Sequence, residues 1–219
     1  MDKVIFIVGM GPGVSAAVAR RFGREGYAIG AVARSADKLE EQLAALRASG
    51  VRVVGATADA GDIGSLRAAL VRLRAALGDA GVLVYNAAGV TYRPLAELSP
   101  EAFAADLAVS VVGAFTAAQQ VLPAMRAQRS GTILLTGGGF AFQPMPVMAS
   151  LGVGKAAIRN LAFSLHADLL ESGIHAATVT IRGTVAPGSA FDPDRIAEAY
   201  WRLHAQPAGA FEREVQFRG

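Results

Sequence analysis

Cysteine is absent from the 219 residues, which excludes a disulfide framework, a zinc–thiolate or iron–sulfur site and a thiol nucleophile. Histidine is scarce as well. His166, His175 and His204 are the three present, and their spacing suits neither a metal site nor a catalytic triad, so no metal is expected. Charged residues make up only 18% of the chain, 21 basic against 18 acidic and dispersed. The net charge of +3 therefore reads as an ordinary water-facing surface, not a nucleic-acid footprint. Long hydrophobic runs are missing: Leu107 to Ala118, bounded by Asp106 and Gln119, falls short of the roughly 20 residues a membrane span needs and reads as a buried helix. At the N-terminus Asp2 offsets Lys3, and Gly9, Gly11, Pro12 and Gly13 interrupt the apolar stretch, which argues against a secretory signal. A cytoplasmic location is expected.

Apolar material and glycine, by contrast, are abundant: 53% hydrophobic residues and 25 glycines. Together they suit a single domain over residues 1–219 with one large core. Short β-rich runs alternate with longer Ala-rich stretches of helical period, which predicts a parallel sheet with crossover helices, an α/β doubly wound fold of about seven strands. The expected order is strand Lys3 to Val8, helix Val14 to Glu25, strand Tyr27 to Ala33, helix Asp37 to Ala48, strand Val51 to Ala56, helix Ile63 to Leu77 and strand Val82 to Tyr85. Ser99-Pro100-Glu101 is a helix start, with an N-cap serine and a first-turn proline, and that helix should run to about Gln128. Strand Thr132 to Thr136, helix Met148 to Glu171, strand Ala176 to Ile181, helix Pro193 to His204 and strand Glu212 to Phe217 follow.

The two longest helices are apolar nearly all round. Leu151, Val153, Ile158, Leu161, Phe163, Leu165 and Leu169 circle one; Phe103, Leu107, Val109, Val111, Val112 and Phe115 circle the other. One face of each can cover the sheet while the other needs a partner. A homodimer or homotetramer built on helices 100–128 and 148–171 is therefore expected.

Directly after the first strand comes Gly9-Met10-Gly11-Pro12-Gly13-Val14-Ser15. Glycines here let the backbone turn tightly and approach a pyrophosphate, and the free N–H groups of the next helix favour negative charge. The same pattern also serves as a plain tight turn. Its place between first strand and first helix, with a further strand at βαβ spacing, supports the dinucleotide reading. After the second strand, where NAD sites carry an acid for the ribose, stand Ala33-Arg34-Ser35. A guanidinium suits a 2′-phosphate, which favours NADP over NAD; the alternative is a solvated loop cation.

These segments together resemble the short-chain dehydrogenase/reductase family along essentially the whole chain. Val8 to Ser15 is similar to the family's glycine motif, with Ser15 in place of the third glycine; Asp59 is similar to its adenine-contacting acid and Asn86-Ala87-Ala88-Gly89 to its Asn-Ala-Gly segment. Gly131-Thr132-Ile133-Leu134-Leu135 resembles the approach to the active-site strand, and Lys155 falls where the catalytic lysine opens the long helix. The resemblance implies cofactor contacts at Gly9, Gly11, Gly13, Val14, Arg34, Asp59, Asn86, Ala88, Gly89, Lys155, Gly183 and Val185. It also implies hydride transfer at a nicotinamide.

The resemblance breaks at the chemistry. The family's proton-donating tyrosine corresponds to Leu151, its serine to Gly138 and its helix asparagine to Ser110, so Lys155 alone survives of four catalytic positions. Losing a general acid costs about 10²- to 10⁴-fold, which weakens turnover without abolishing it. Thr136 and Tyr92 are the candidates for a substitute donor, with Tyr92 otherwise a rim residue. Beyond the last long strand, Ile181-Arg182-Gly183-Thr184-Val185 replaces a Pro-Gly segment, Pro187 replaces a cofactor-contacting threonine, and the chain passes directly to the short helix. The substrate-covering helices are expected to be cut short. Two activities fit: a reductase with a non-standard proton source, or a catalytically silent nucleotide-binding sensor or subunit.

Overall fold

Every residue of Val4–Val8 (β1) is buried, as a strand covered on both faces demands. The computed structural model describes residues 3–219. Its strands are β1, Ala28–Ala33 (β2), Val53–Thr57 (β3), Val82–Tyr85 (β4), Gly131–Gly138 (β5), Ile174–Ile181 (β6) and Glu214–Phe217 (β7). They form one parallel sheet in the order β3-β2-β1-β4-β5-β6-β7. The crossovers are helices Val14–Arg24 (α1), Ala36–Ala48 (α2), Ile63–Leu77 (α3), Pro100–Leu107 (α4), Gly113–Gln128 (α5), Ala149–Leu169 (α6) and Pro193–His204 (α7).

Alternation along each strand divides the core between two layers. Phe6, Leu83, Tyr85, Ile133 and Leu135 face α3, α5 and α6, while Ile5, Ile7, Val84, Leu134 and Val179 face α1, α2 and α7. This is the doubly wound arrangement. The strand order reverses at β1, whose neighbours are β2 and β4, and a crevice opens beyond the carboxyl ends of the strands at such a point.

Helix starts follow side-chain caps. Ser35, Asp62, Ser99 and Asp192 accept from the N–H groups of Lys38, Ser65, Ala102 and Asp194. The single helix expected from Glu101 to Gln128 is instead α4 and α5 joined by a π-helical segment, Ala108–Val112. The cause is a close approach: a Cβ on Gly113 would lie 2.3 Å from both the Ala60 carbonyl and the Tyr85 hydroxyl. The buried Tyr85 hydroxyl donates to the Val109 carbonyl within that segment.

The run Pro100–Gln128 is apolar and long enough by composition to cross a membrane, with 33% of its apolar window buried. Ala114, Ala117, Ala118, Val121 and Met125 of this run lie in the core, whereas Val112 and Phe115 are 41% and 46% exposed. The expectation of a buried helix thus holds for one face only. On α6, likewise, Ile158, Leu165 and Leu169 are buried and Val153 is exposed. Elsewhere the sequence placed elements to within two residues, and α3, β4 and α7 at their observed bounds.

Candidate active site

At the switch point the chain must turn from β1 into α1 against the end of β4, and the contacts select glycine. Gly9 has φ +88°, and a Cβ there would lie 2.4 Å from the Ala87 nitrogen. Its N–H and that of Met10 both donate to the Val32 carbonyl, at 2.9 and 2.8 Å. Its own carbonyl accepts from the Ser15 hydroxyl at 2.8 Å and from Asn86 Nδ2 at 3.4 Å. Ser15 therefore does more than fit the space of a glycine; it staples the turn to the first turn of α1. A Cβ on Gly11 or Gly13 would meet nothing within 4 Å, so these two leave open space above the turn. Among the described residues no side chain caps α1, and its first turn holds no acid. Free N–H groups and the positive end of the helix dipole face that space.

A cleft of about 670 Å³ runs along the carboxyl edge of β2, β1 and β4 to α4. It brings together Gly9, Arg34, Asp59, Asn86, Ala88 and Gly89 among the residues singled out from sequence. Arg34 is exposed at its rim. Asp59 accepts from the Gly61 N–H at 2.8 Å, which shapes the loop after β3. Gly89 is packed so closely that a Cβ would lie 2.4 Å from the Asp106 Cα, and its N–H donates to Ser110 Oγ at 3.0 Å. The serine standing at the asparagine position thus anchors the Asn86–Gly89 segment. Gly11, Gly13 and Val14 lie at the turn without lining the cleft; Lys155, on α6, and Gly183 and Val185, after β6, do not line it either.

Lys155, nearly two turns into α6, donates to the Thr136 carbonyl at 2.7 Å. Burial, which disfavours the charged ammonium, lowers its pKa from 10.5 to about 8. Its side chain lies over the vacant serine position: a Cβ on Gly138 would sit 3.4 Å from Lys155 Cγ, Cδ and Cε. The Thr136 hydroxyl does not join this site. It pairs at 2.7 Å with the hydroxyl of buried Tyr200 on α7, on the opposite side of the sheet, because Thr136 shares its face with Leu134. Burial raises the pKa of Tyr200. Tyr92 is 67% exposed in the loop after β4, which meets the start of α6 through Arg93 N–H to the Val147 carbonyl at 3.1 Å. No ionisable side chain stands at 110, 138 or 151.

Sequence reasoning passed over one buried pair. Asp106, on α4 and lining the cleft, accepts from Ser150 Oγ on α6 at 2.5 Å. The signal was an acid inside an otherwise apolar helix face, facing a serine beside the tyrosine position. After β6 the connector 182–192 holds no helix. Phe191 folds back over Gly183, where a Cβ would lie 2.2 Å from the ring, so this glycine serves packing. Val185 is exposed.

Comparison with known proteins agrees with this architecture. The short chain dehydrogenase model matches residues 3–190, and the chain belongs to that family. It is 32% identical over 210 residues to 2,3-dihydro-2,3-dihydroxybenzoate dehydrogenase of Bacillus subtilis, covering 95% of this chain and 76% of that protein. A short-chain dehydrogenase from Rhodopseudomonas palustris superposes with a TM-score of 0.88 at 25% identity, over 99% of this chain and 98% of that one. A metagenomic short-chain oxidoreductase in complex with NADP superposes with a TM-score of 0.87 at 27% identity, over 97% and 95%.

Proposed function

We propose that the protein is an NADP-dependent oxidoreductase whose acid–base group is Lys155, assisted by water, in place of a tyrosine. The observation that carries this reading is the continuity of one edge of the sheet. The open glycine turn and uncapped α1 lead to Arg34 at one end and toward Lys155 at the other. The fit to the cofactor rests on the space over Gly11 and Gly13. Arg34 suits a 2′-phosphate, Asp59 and Asn86 to Gly89 shape the wall beside it, and Lys155 suits a ribose hydroxyl. When bound, the nicotinamide supplies the hydride. An ammonium with its pKa near 8 releases and takes up a proton near neutral pH, which the leucine at 151 cannot do.

A second reading, a nucleotide-binding protein without turnover, is favoured by the absence of an ionisable group at 110, 138 and 151. Under either reading the exposed Val112, Phe115 and Val153 suit a homodimer or homotetramer through α4 to α6. Light scattering checks the assembly, and a monomer at micromolar concentration argues against it.

Titration of NADPH and NADH by fluorescence tests the cofactor. NADPH should bind more tightly, and Arg34→Ala should weaken NADPH by roughly tenfold while leaving NADH nearly unchanged. Binding of neither nucleotide rejects both readings. NADPH oxidation with carbonyl or enoyl substrates then separates the enzyme from the silent protein.

A further inference from the structure

Beyond Lys155, β7 and the carboxyl end of β6 carry a second group of charges. Glu214 is engaged on all sides: Arg159 Nε and Nη2 donate to its two oxygens at 2.9 and 2.8 Å, and Thr180 Oγ1 donates at 2.7 Å. Burial alone would raise the pKa of Glu214, but these bonds outweigh it and hold the pKa below the usual value. Gln216 donates its amide to the same carboxylate at 3.4 Å, which turns its oxygen outward. Two guanidiniums then converge on that one neutral oxygen, Arg182 Nη1 at 3.3 Å and Arg218 Nη2 at 2.9 Å. Among the described residues neither Arg182 nor Arg218 has an ion-pair partner, whereas Arg159 does. Arg182 is also stacked on Phe142, 4.5 Å from the ring centroid, which fixes its plane.

A neutral acceptor between two charged forks stands where a carboxylate would satisfy both. The backbone of Arg182 lies beside the segment that packs on Lys155. On consecutive residues of one chain segment, a Cβ at Gly138 would lie 3.4 Å from the Lys155 side chain and a Cβ at Gly139 3.5 Å from the Arg182 Cα. Lys155 and Arg182 therefore flank the same glycine segment, and the connector 182–192 carries no helix over it.

We infer that Arg182 and Arg218, oriented by Gln216 and Phe142, form a subsite for the carboxylate of an acidic substrate. The subsite stands on its own geometry. It rests on the oxidoreductase reading only in calling the bound acid a substrate.

Benzoate, its neutral isostere benzamide, and inorganic phosphate, titrated calorimetrically without and with NADPH, test this. Benzoate should bind at least roughly tenfold more tightly than benzamide, and Arg182→Gln should erase the difference. Gln216→Glu places a fixed carboxylate between the forks and should abolish benzoate binding while raising the melting temperature. It also decides the matter if Arg182→Gln fails to fold. No benzoate binding, equal affinity for benzoate and benzamide, tighter binding of phosphate, or unchanged benzoate affinity in Gln216→Glu each overturns the subsite. Benzoate binding without NADPH binding removes the redox reading and leaves the subsite standing; NADPH binding without benzoate binding does the reverse.

Discussion

Lys155 and Thr136 meet through the main chain: the ammonium donates to the Thr136 carbonyl at 2.7 Å, while the threonine hydroxyl is held by Tyr200 across the sheet. The lysine thus keeps its place in the fold without the tyrosine. It has a backbone acceptor that no side-chain substitution at 136 removes.

Charge on Lys155 should cost stability at neutral pH. Its pKa is about 8 when folded against an ordinary 10.5, so between these values the unfolded chain binds the extra proton and stability rises with pH. That contribution is fully present above 10.5 and is lost as pH falls through 8. Lys155→Met should therefore raise the melting temperature at pH 7 and flatten its rise between pH 8 and 10, while weakening NADPH. A lower melting temperature in this variant would show that the bond to Thr136 outweighs burial.

Restoring the missing side chains should restore rate. Gly138 is extended, with φ −162°, and a Cβ there makes ordinary contacts at 3.4 Å with Lys155. Gly138→Ser should consequently fold as the parent does. Combined with Leu151→Tyr it should raise NADPH oxidation by about 10²- to 10⁴-fold, read in steady-state assays. No gain would support the silent reading.

The glycines of the turn should separate by role. Gly9→Ala forces a left-handed backbone and a clash with Ala87, and should cost about 2 kcal/mol or more in urea unfolding. Gly11→Ala has open space and no positive φ, so stability should stay within about 0.5 kcal/mol while NADPH affinity falls. Equal destabilisation by both would contradict the assignment of Gly11 to ligand approach.

Acid should loosen the far end of the sheet. His204 Nδ1 bonds the Thr132 hydroxyl at 2.9 Å and Nε2 the Tyr27 hydroxyl at 2.6 Å. Burial, with His175 adding to it, lowers its pKa from 6.5 to about 4. The unfolded chain binds the extra proton between these values, so this contribution is complete above pH 6.5 and is lost as pH falls toward 4. Thermal melts from pH 7 to 4.5 should show the decline, and His204→Gln should reduce it.

The fold was legible because its signals are local and periodic. Val4–Val8 is a run with no polar interruption, Ser99-Pro100 announces a helix, and the glycine turn follows a strand. The tight turn at Gly9 was legible for the same reason. What escaped depends on residues distant in sequence. The π-helical segment at Ala108–Val112 needs Tyr85 and Ala60 to press on Gly113. The pairing of Asp106 with Ser150 spans two helices. The side of the sheet to which the Thr136 hydroxyl turns is set by the register of β5, which no motif at 136 to 139 records.

The connector after β6 is held by its own contacts. Asp192 accepts from the Gly188 N–H at 2.6 Å, Ser189 Oγ donates to the Ala186 carbonyl at 2.7 Å, and Phe191 is wedged over Gly183. A segment tied down this tightly is a fixed doorstep and has no hinge. Molecules should therefore enter and leave without a gating step, so that exchange follows diffusion and affinity instead of loop opening. Under the reductase reading, the same openness admits bulk water beside Lys155, the partner a lone lysine needs to hand a proton on.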